Sequence, residues 1–119
     1  MDNLITSQMG VFGIGKIEDI FVKTGLSHAK HTGSNAEGLD LTLKAVQGSL
    51  PMANLKIDSS LPDDIRFIFT NLVDTDALYG HRRDVAGYAS SLIEFDHWLG
   101  KIMSSLLHDD LLLISSDHG

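Results

Sequence analysis

Two stretches of this sequence carry the side chains best suited to chemistry: Asp74-Thr75-Asp76 followed by Gly80-His81, and Asp117-His118-Gly119. Each follows an apolar run of strand length, Ile65 to Val73 in the first case and Leu111 to Ser115 in the second. If the two runs are neighbouring parallel strands, Asp76, His81, Asp117 and His118 arrive at one edge of one sheet, where open parallel sheets place their chemistry. Carboxylate and imidazole together suit a divalent cation of mixed oxygen and nitrogen preference, such as manganese or zinc. Two adjacent ligands at a strand exit work only if the backbone turns there, and Gly119 permits the turn. Asp and His at strand ends also serve as helix caps and turn formers. The recurrence at both strand ends favours the metal.

The remaining candidates are weaker. Gly10-Val-Phe-Gly-Ile-Gly15-Lys16 fits a phosphate-cradling loop as far as the lysine, but Ile17 stands where the magnesium-holding hydroxyl belongs. Val11, Phe12 and Ile14 look like a strand and not a loop, so a glycine-rich buried strand is the preferred reading. His28 and His31 lie three apart in a polar stretch and are read as solvated or phosphate-facing residues before metal ligands. His97 and His108 have no carboxylate at an informative distance and are read as surface residues. Arg82 and Arg83 can hold phosphate or neutralise Asp74 and Asp84. Packing accounts for Trp98 and Tyr88.

The elements that must position these groups follow from the apolar pattern. A short helix is expected from Asp2, a buried strand at Val11, Phe12 and Ile14, and a helix from Lys16 to Lys23 that stops at Gly25. Ser27 to Gly33 reads as polar and irregular. Ser34 or Asn35 caps a helix that carries Leu39, Leu43 and Val46 on one side and ends near Gly48. Gly48 to Asp64 holds both prolines, Pro51 and Pro62, and reads as a connection. Ile65 to Val73 is dense enough for a central strand buried on both faces. Val85, Tyr88, Leu92, Phe95, Leu99, Ile102 and Leu106 then recur at spacings of 3, 4, 3, 4, 3 and 4, one stripe on a long helix. Strand, helix and strand make a parallel βαβ unit, so the expected class is α/β, a parallel sheet flanked by helices.

Composition bounds the answer from outside. The 119 residues fill about one domain, and with no cysteine the chain has neither disulfides nor thiolate-bound metal. Nine Lys and Arg against 16 Asp and Glu leave a net charge of −7, the wrong sign for nucleic acid. No apolar run approaches the ~20 residues needed to cross a bilayer, and no basic residue precedes Lys16 as an export signal requires. A cytoplasmic protein with no nucleic-acid or membrane partner is expected.

The stretch from Phe69 through Asp76 and His81 to Tyr88 resembles the core signature of the phosphopentomutases, of the alkaline phosphatase superfamily, and Asp110 to Gly119 resembles their second metal motif. Gly13 to Phe21 and His31 to Asp40 are also similar to that family, so the resemblance covers nearly the whole chain except Gly48 to Asp64. Cofactor-independent phosphoglycerate mutases share the later Asp-His-Gly, but Gly80-His-Arg-Arg-Asp84 favours the pentose enzymes. The resemblance implies an alkaline-phosphatase-like core. It also implies interconversion of ribose or deoxyribose 1-phosphate with the 5-phosphate, using two divalent cations, usually manganese, and a phosphorylated threonine. Asp76 and His81 would hold one ion, Asp117 and His118 the other.

The same resemblance implies that parts of the enzyme lie elsewhere: a first core strand with a metal aspartate and the threonine nucleophile, the substrate-binding cap, and a further histidine. The expectation is therefore that residues 1–119 are a partial catalytic core, inactive when isolated, and inclined to self-associate through an exposed sheet edge. The alternative of another class is a non-catalytic α/β module that uses the Asp/His edge for a single ion or a partner.

Overall fold

The computed structural model describes residues 1–116, and its organising element is the strand β1, Gly10–Ile14, all five residues of which are buried. On one side β1 pairs in parallel with β2, His28–Lys30, and on the other with β3, Ile65–Thr70. The sheet order is β2-β1-β3. Cα partners run Phe12 with His28 and Ile68, and Ile14 with Lys30 and Thr70. All three strands therefore point their carboxyl ends at one edge. The α/β class expected from the sequence is the class observed.

Alternation along β1 divides the side chains between two faces. Val11 packs with Ile17 and Leu26, supported by Met1, Leu4, Ile5, Ile57 and Phe69. This face is covered by the short helices α1, Asp2–Thr6, and α2, Ile17–Ile20. Phe12 and Ile14 point the other way, toward α3, Asn35–Val46, and behind it the long helix α4, Val85–Ser105. Ser34 caps α3 by accepting the Glu37 N–H at 3.2 Å, and Glu37 reaches back to the Gly33 N–H at 2.8 Å. Asp84 caps α4 by accepting the Gly87 N–H at 2.9 Å. Both caps satisfy backbone donors that a helix start leaves open.

Four expectations are corrected. Ser27 to Gly33 is not irregular throughout, because His28–Lys30 forms β2. The predicted helix from Lys16 to Lys23 is only four residues long, and beyond it Val22 and Lys23 enter the left-handed region at φ 50° and 60°. Ile65 to Val73 is not the central strand: β1 holds the centre, and β3 is an edge strand among the described residues, ending at Thr70 and leaving Arg66 and Phe67 exposed. Leu111 to Ser115 makes no strand. Leu111 and Leu113 are 81% and 79% exposed, and no ladder forms there among the described residues. The crossover helix of the predicted βαβ unit is thus present without its second strand. Its apolar stripe divides accordingly, since Ile102 is buried, Phe95 and Leu99 are half-buried, and Val85, Tyr88 and Leu92 are exposed.

Candidate metal centre

Beyond Thr70 the chain leaves the sheet through Asn71, Leu72 and Val73 and winds at once into a wide helical turn, Thr75–Gly80. The turn closes by hydrogen bonds that skip one residue more than an α-helix allows. The His81 N–H bonds to the Asp76 carbonyl at 3.0 Å, and the Asp84 N–H to the Tyr79 carbonyl at 2.9 Å. The extra residue decides the chemistry. In an α-helix, positions five apart lie about 140° from one another around the axis, at roughly 100° per residue, whereas an i→i+5 turn stacks them. Asp76 Oδ2 and His81 Nε2 consequently stand 3.2 Å apart, with side chains 46% and 76% exposed. Single-turn widenings of this kind occur frequently at functional sites.

The turn is held from below. Asn35, the first residue of α3 and buried, donates its backbone N–H to Asp74 Oδ2 at 2.7 Å. Its Oδ1 accepts the Asp74 N–H at 2.9 Å, and its Nδ2 donates to Thr75 Oγ1 at 3.4 Å. Ser91 of α4, also buried, is hydrogen-bonded through Oγ to Thr75 Oγ1 at 3.1 Å. The Asp74 carboxylate thus sits at the amino end of α3, where the helix dipole favours negative charge. That engagement leaves Asp76 as the carboxylate of the turn that faces His81. The ring of Tyr79 lies against Gly87, where any side chain would overlap it.

The donor set of Asp76 and His81 fits a divalent cation. Two tetrahedral ligands each about 2.0–2.2 Å from one zinc lie roughly 3.3–3.6 Å from each other, and the observed 3.2 Å, a direct carboxylate–imidazole contact, falls just short of that span. Of the four predicted ligands, the structure brings these two together. Asp117 and His118 lie outside the described residues, and among the described residues no three His, Asp or Glu side chains gather as a metal-holding group. Arg82 and Arg83 are exposed next to His81, and neither forms an ion pair among the described residues. In the sequence Asn35 is legible only as a possible helix cap, because its bonds to Asp74 and Thr75 span 39 and 40 residues.

The other histidines go elsewhere. His31 lies 3.8 Å from Asp19, exposed, and His108 pairs with its neighbour Asp109 at 2.8 Å. His28, read from the sequence as solvated or phosphate-facing, is instead fully buried in β2, with Nδ1 2.9 Å from Ser27 Oγ. Its Nε2 has no hydrogen-bond partner among the described residues and is 3.8 Å from Asp63 Oδ1. Ser27, His28 and Asp63 are the residue types of a nucleophilic triad, but Ser27 is fully buried and its hydroxyl is bound to Val11, so no substrate reaches it. Burial holds the His28 imidazole below its ordinary 6.5, against the opposing pull of Asp63, with Lys56 adding to the lowering. The native chain therefore takes up this proton at a lower pH than the unfolded chain does. Stability is fully present above about 6.5 and is lost as pH falls from there through the native value. A urea midpoint that declines from about pH 7.5 to 5.5, and a flatter decline in His28→Gln, are expected. An equal decline in both would assign the effect to another group.

Residues 12–119 match the family described as Metalloenzyme superfamily. Among curated proteins, the chain is 42% identical over 119 residues to a phosphopentomutase of Clostridioides difficile, covering 100% of this chain and 27% of that protein. It is 43% identical over 119 residues to a phosphopentomutase of Deinococcus radiodurans and 41% identical over 120 residues to one of Acetivibrio thermocellus, with the same coverage of 100% and 27%. The chain spans about a quarter of the length of these relatives.

Proposed function

The chain belongs to the metalloenzyme superfamily, and from that membership we propose that it forms part of the catalytic core of a phosphopentomutase, with an alkaline-phosphatase-like sheet. The reaction would move a phosphoryl group between the 1- and 5-oxygens of ribose or deoxyribose in the cytoplasm. The observation that carries the reading is the Asp76–His81 pair, 3.2 Å apart at the carboxyl edge of a parallel sheet. Phosphopentomutases similar along the entire chain add to it.

In this reading Asp76 and His81 hold one divalent cation, with manganese as first choice, and Asp117 and His118 hold a second. Bound there, such ions supply Lewis acidity and neutralise the charge of an in-line phosphoryl transfer. To act as a ligand, His81 must present Nε2 without its proton, and the Asp76 carboxylate must be ionised, so cation uptake strengthens as pH rises. Arg82 and Arg83 would meet the equatorial phosphate oxygens with planar, bidentate donors. By the family resemblance, the threonine that carries the phosphoryl group belongs to another part of the enzyme, so in this reading the 119-residue polypeptide alone should not turn over substrate.

Titration of the polypeptide with manganese, followed by calorimetry, tests the site. Weak uptake is expected, lowered at least ~10-fold by Asp76→Asn, since removal of a ligand costs no less than removal of its supporting shell. No uptake by the unaltered chain, or uptake indifferent to Asp76→Asn, overturns the assignment. Mutase turnover by the purified polypeptide, with manganese and a bisphosphate activator, overturns its predicted inactivity. Tight uptake abolished by Asp117→Ala, without turnover, would instead favour a self-sufficient, non-catalytic cation module.

A further inference from the structure

The wide turn at Thr75–Gly80 is not a conformation that its own sequence enforces. Thr75-Asp-Ala-Leu-Tyr-Gly80 contains no proline, and an ordinary α-helical path through it would satisfy the same number of backbone groups with i→i+4 bonds. On that path Asp76 and His81 would separate around the axis. Something outside the turn must choose the wider register.

The contacts at its start identify what does. Asp74 and Thr75, the two residues that set the direction of the turn, are both bonded by one side chain, that of Asn35, and Asp74 also accepts that residue's backbone N–H. Asn35 is 7% exposed, so these bonds are shielded from water. The match is specific to an amide. One end must accept the Asp74 N–H while the other donates to Thr75 Oγ1. A carboxylate in its place would face the Asp74 carboxylate and lose the donor, and a shorter hydroxyl would not span both partners. The first helical residue of α3 also contributes a backbone N–H that the helix itself leaves free, and Asp74 takes it at 2.7 Å. Helix α3 is in turn fixed to the sheet, since Thr42 Oγ1 lies 2.6 Å from Thr70 Oγ1 and Leu39 is buried. The clasp therefore refers the turn to the sheet edge and not to flexible chain.

We infer that Asn35 is the positioning residue of the site: by clasping Asp74 and Thr75 it holds the turn in the i→i+5 register that brings Asp76 and His81 together. The inference rests on the metal reading for its consequence, cation affinity, but not for the geometry. Among the described residues Asn35 bonds to Asp74 and Thr75, and to neither Asp76 nor His81. It acts through Asp74 and Thr75.

Amide hydrogen exchange and manganese-induced broadening of the His81 ring resonances, both by NMR on the 119-residue chain, test it together. In Asn35→Ala the His81 and Asp84 amides, which close the wide turn, are expected to exchange at least ~10-fold faster, while the Ile102 amide within α4 keeps its protection. The manganese concentration that broadens His81 should rise ~10- to 100-fold, as for other supporting residues of metal ligands. The double exchange Asn35→Asp with Asp74→Asn keeps the two bonds between positions 35 and 74 with their charges traded, and the Thr75 hydroxyl, which accepts from Ser91, can turn to donate to the new carboxylate in place of the lost amide donor, so both readouts should recover. If Asn35→Ala loses protection along the entire chain, this double variant decides between the outcomes: recovery at His81 and Asp84 supports the role, and failure to recover overturns it. Unchanged exchange at His81 and Asp84 in a folded Asn35→Ala also overturns it. Should manganese leave His81 sharp in the unaltered chain, the metal reading fails, while hydrogen exchange still supports or overturns the role of Asn35.

Discussion

Phe12→Ala is expected to lower the free energy of unfolding by about 3–5 kcal/mol, the usual cost of removing a fully buried aromatic side chain and leaving its space unfilled. Domains of this kind are stable by only about 5–15 kcal/mol, so the loss is a large share of the total. Position sets the size of the effect. Phe12 is wholly buried at the middle of the central strand, flanked at the Cα level by His28 and Ile68, with α3 packed over its face of the sheet. Its neighbours are held in a ladder on both sides, so they cannot collapse into the void, and the cavity term adds to the lost transfer energy. Thermal denaturation followed by circular dichroism would measure the loss. A cost below ~1 kcal/mol would mean that Phe12 is not enclosed. Leu92→Ala on the exposed part of α4 is the contrast, expected within ~0.5 kcal/mol of the unaltered chain, because Leu92 is already 49% exposed.

That contrast also shows what the sequence can and cannot say. The stripe from Val85 to Leu106 announces a helix by its spacing, and α4 spans Val85–Ser105. Spacing reports which residues share a side, however, and not what lies against them, so the half that stays open in the structure has no signature in the pattern. The same limit explains the exchange of roles between the strands. Ile65 to Val73 is richer in large apolar residues than Gly10–Ile14, but apolar density does not measure centrality. The centre instead goes to the strand whose small residues let neighbours close in, since the space at Gly13 is filled by Ile17 and Leu26. β2 gives no local signal because His28-Ala-Lys30 has no apolar run; its pairing with β1 and the burial of His28 are tertiary effects. At the candidate site, residue types make Asp76 and His81 legible, but a gap of five residues predicts proximity only if the backbone widens. That widening is tied to Asn35, whose bonds reach across 39 and 40 positions, and no local pattern encodes it.

Gly15→Ala should be the most damaging change among the glycines, at about 3 kcal/mol or more, in the range reserved for backbone strain combined with steric overlap. Gly15 has φ +83°, a conformation that an L side chain occupies at a cost of about 1–2 kcal/mol. A Cβ there would also overlap the carbonyl oxygen of Asn71. Neither side can withdraw cheaply, because the Asn71 N–H bonds to the Ile14 carbonyl at 3.0 Å and the Gly15 N–H to the Lys30 carbonyl at 2.9 Å, joining all three strand ends around the last residues of β1. Gly48→Ala separates the two contributions. Gly48 has φ +64° with nothing within 4 Å of the position a methyl group would take, so it should show the conformational cost alone, about 1–2 kcal/mol. Urea midpoints of the two variants give the difference. If Gly15→Ala costs no more than Gly48→Ala, the overlap with Asn71 is relieved by a movement of the strand ends, and the ladder does not hold them as its hydrogen bonds imply. If it costs more, the displaced carbonyl belongs to the residue from which the chain runs through Leu72 and Val73 to Asp74. Amide shifts should then change from Asn71 to His81 while those in the middle of α4 stay fixed. The steric demand at the end of β1 would thereby reach the Asp76–His81 pair along the path that leads the chain out of the sheet.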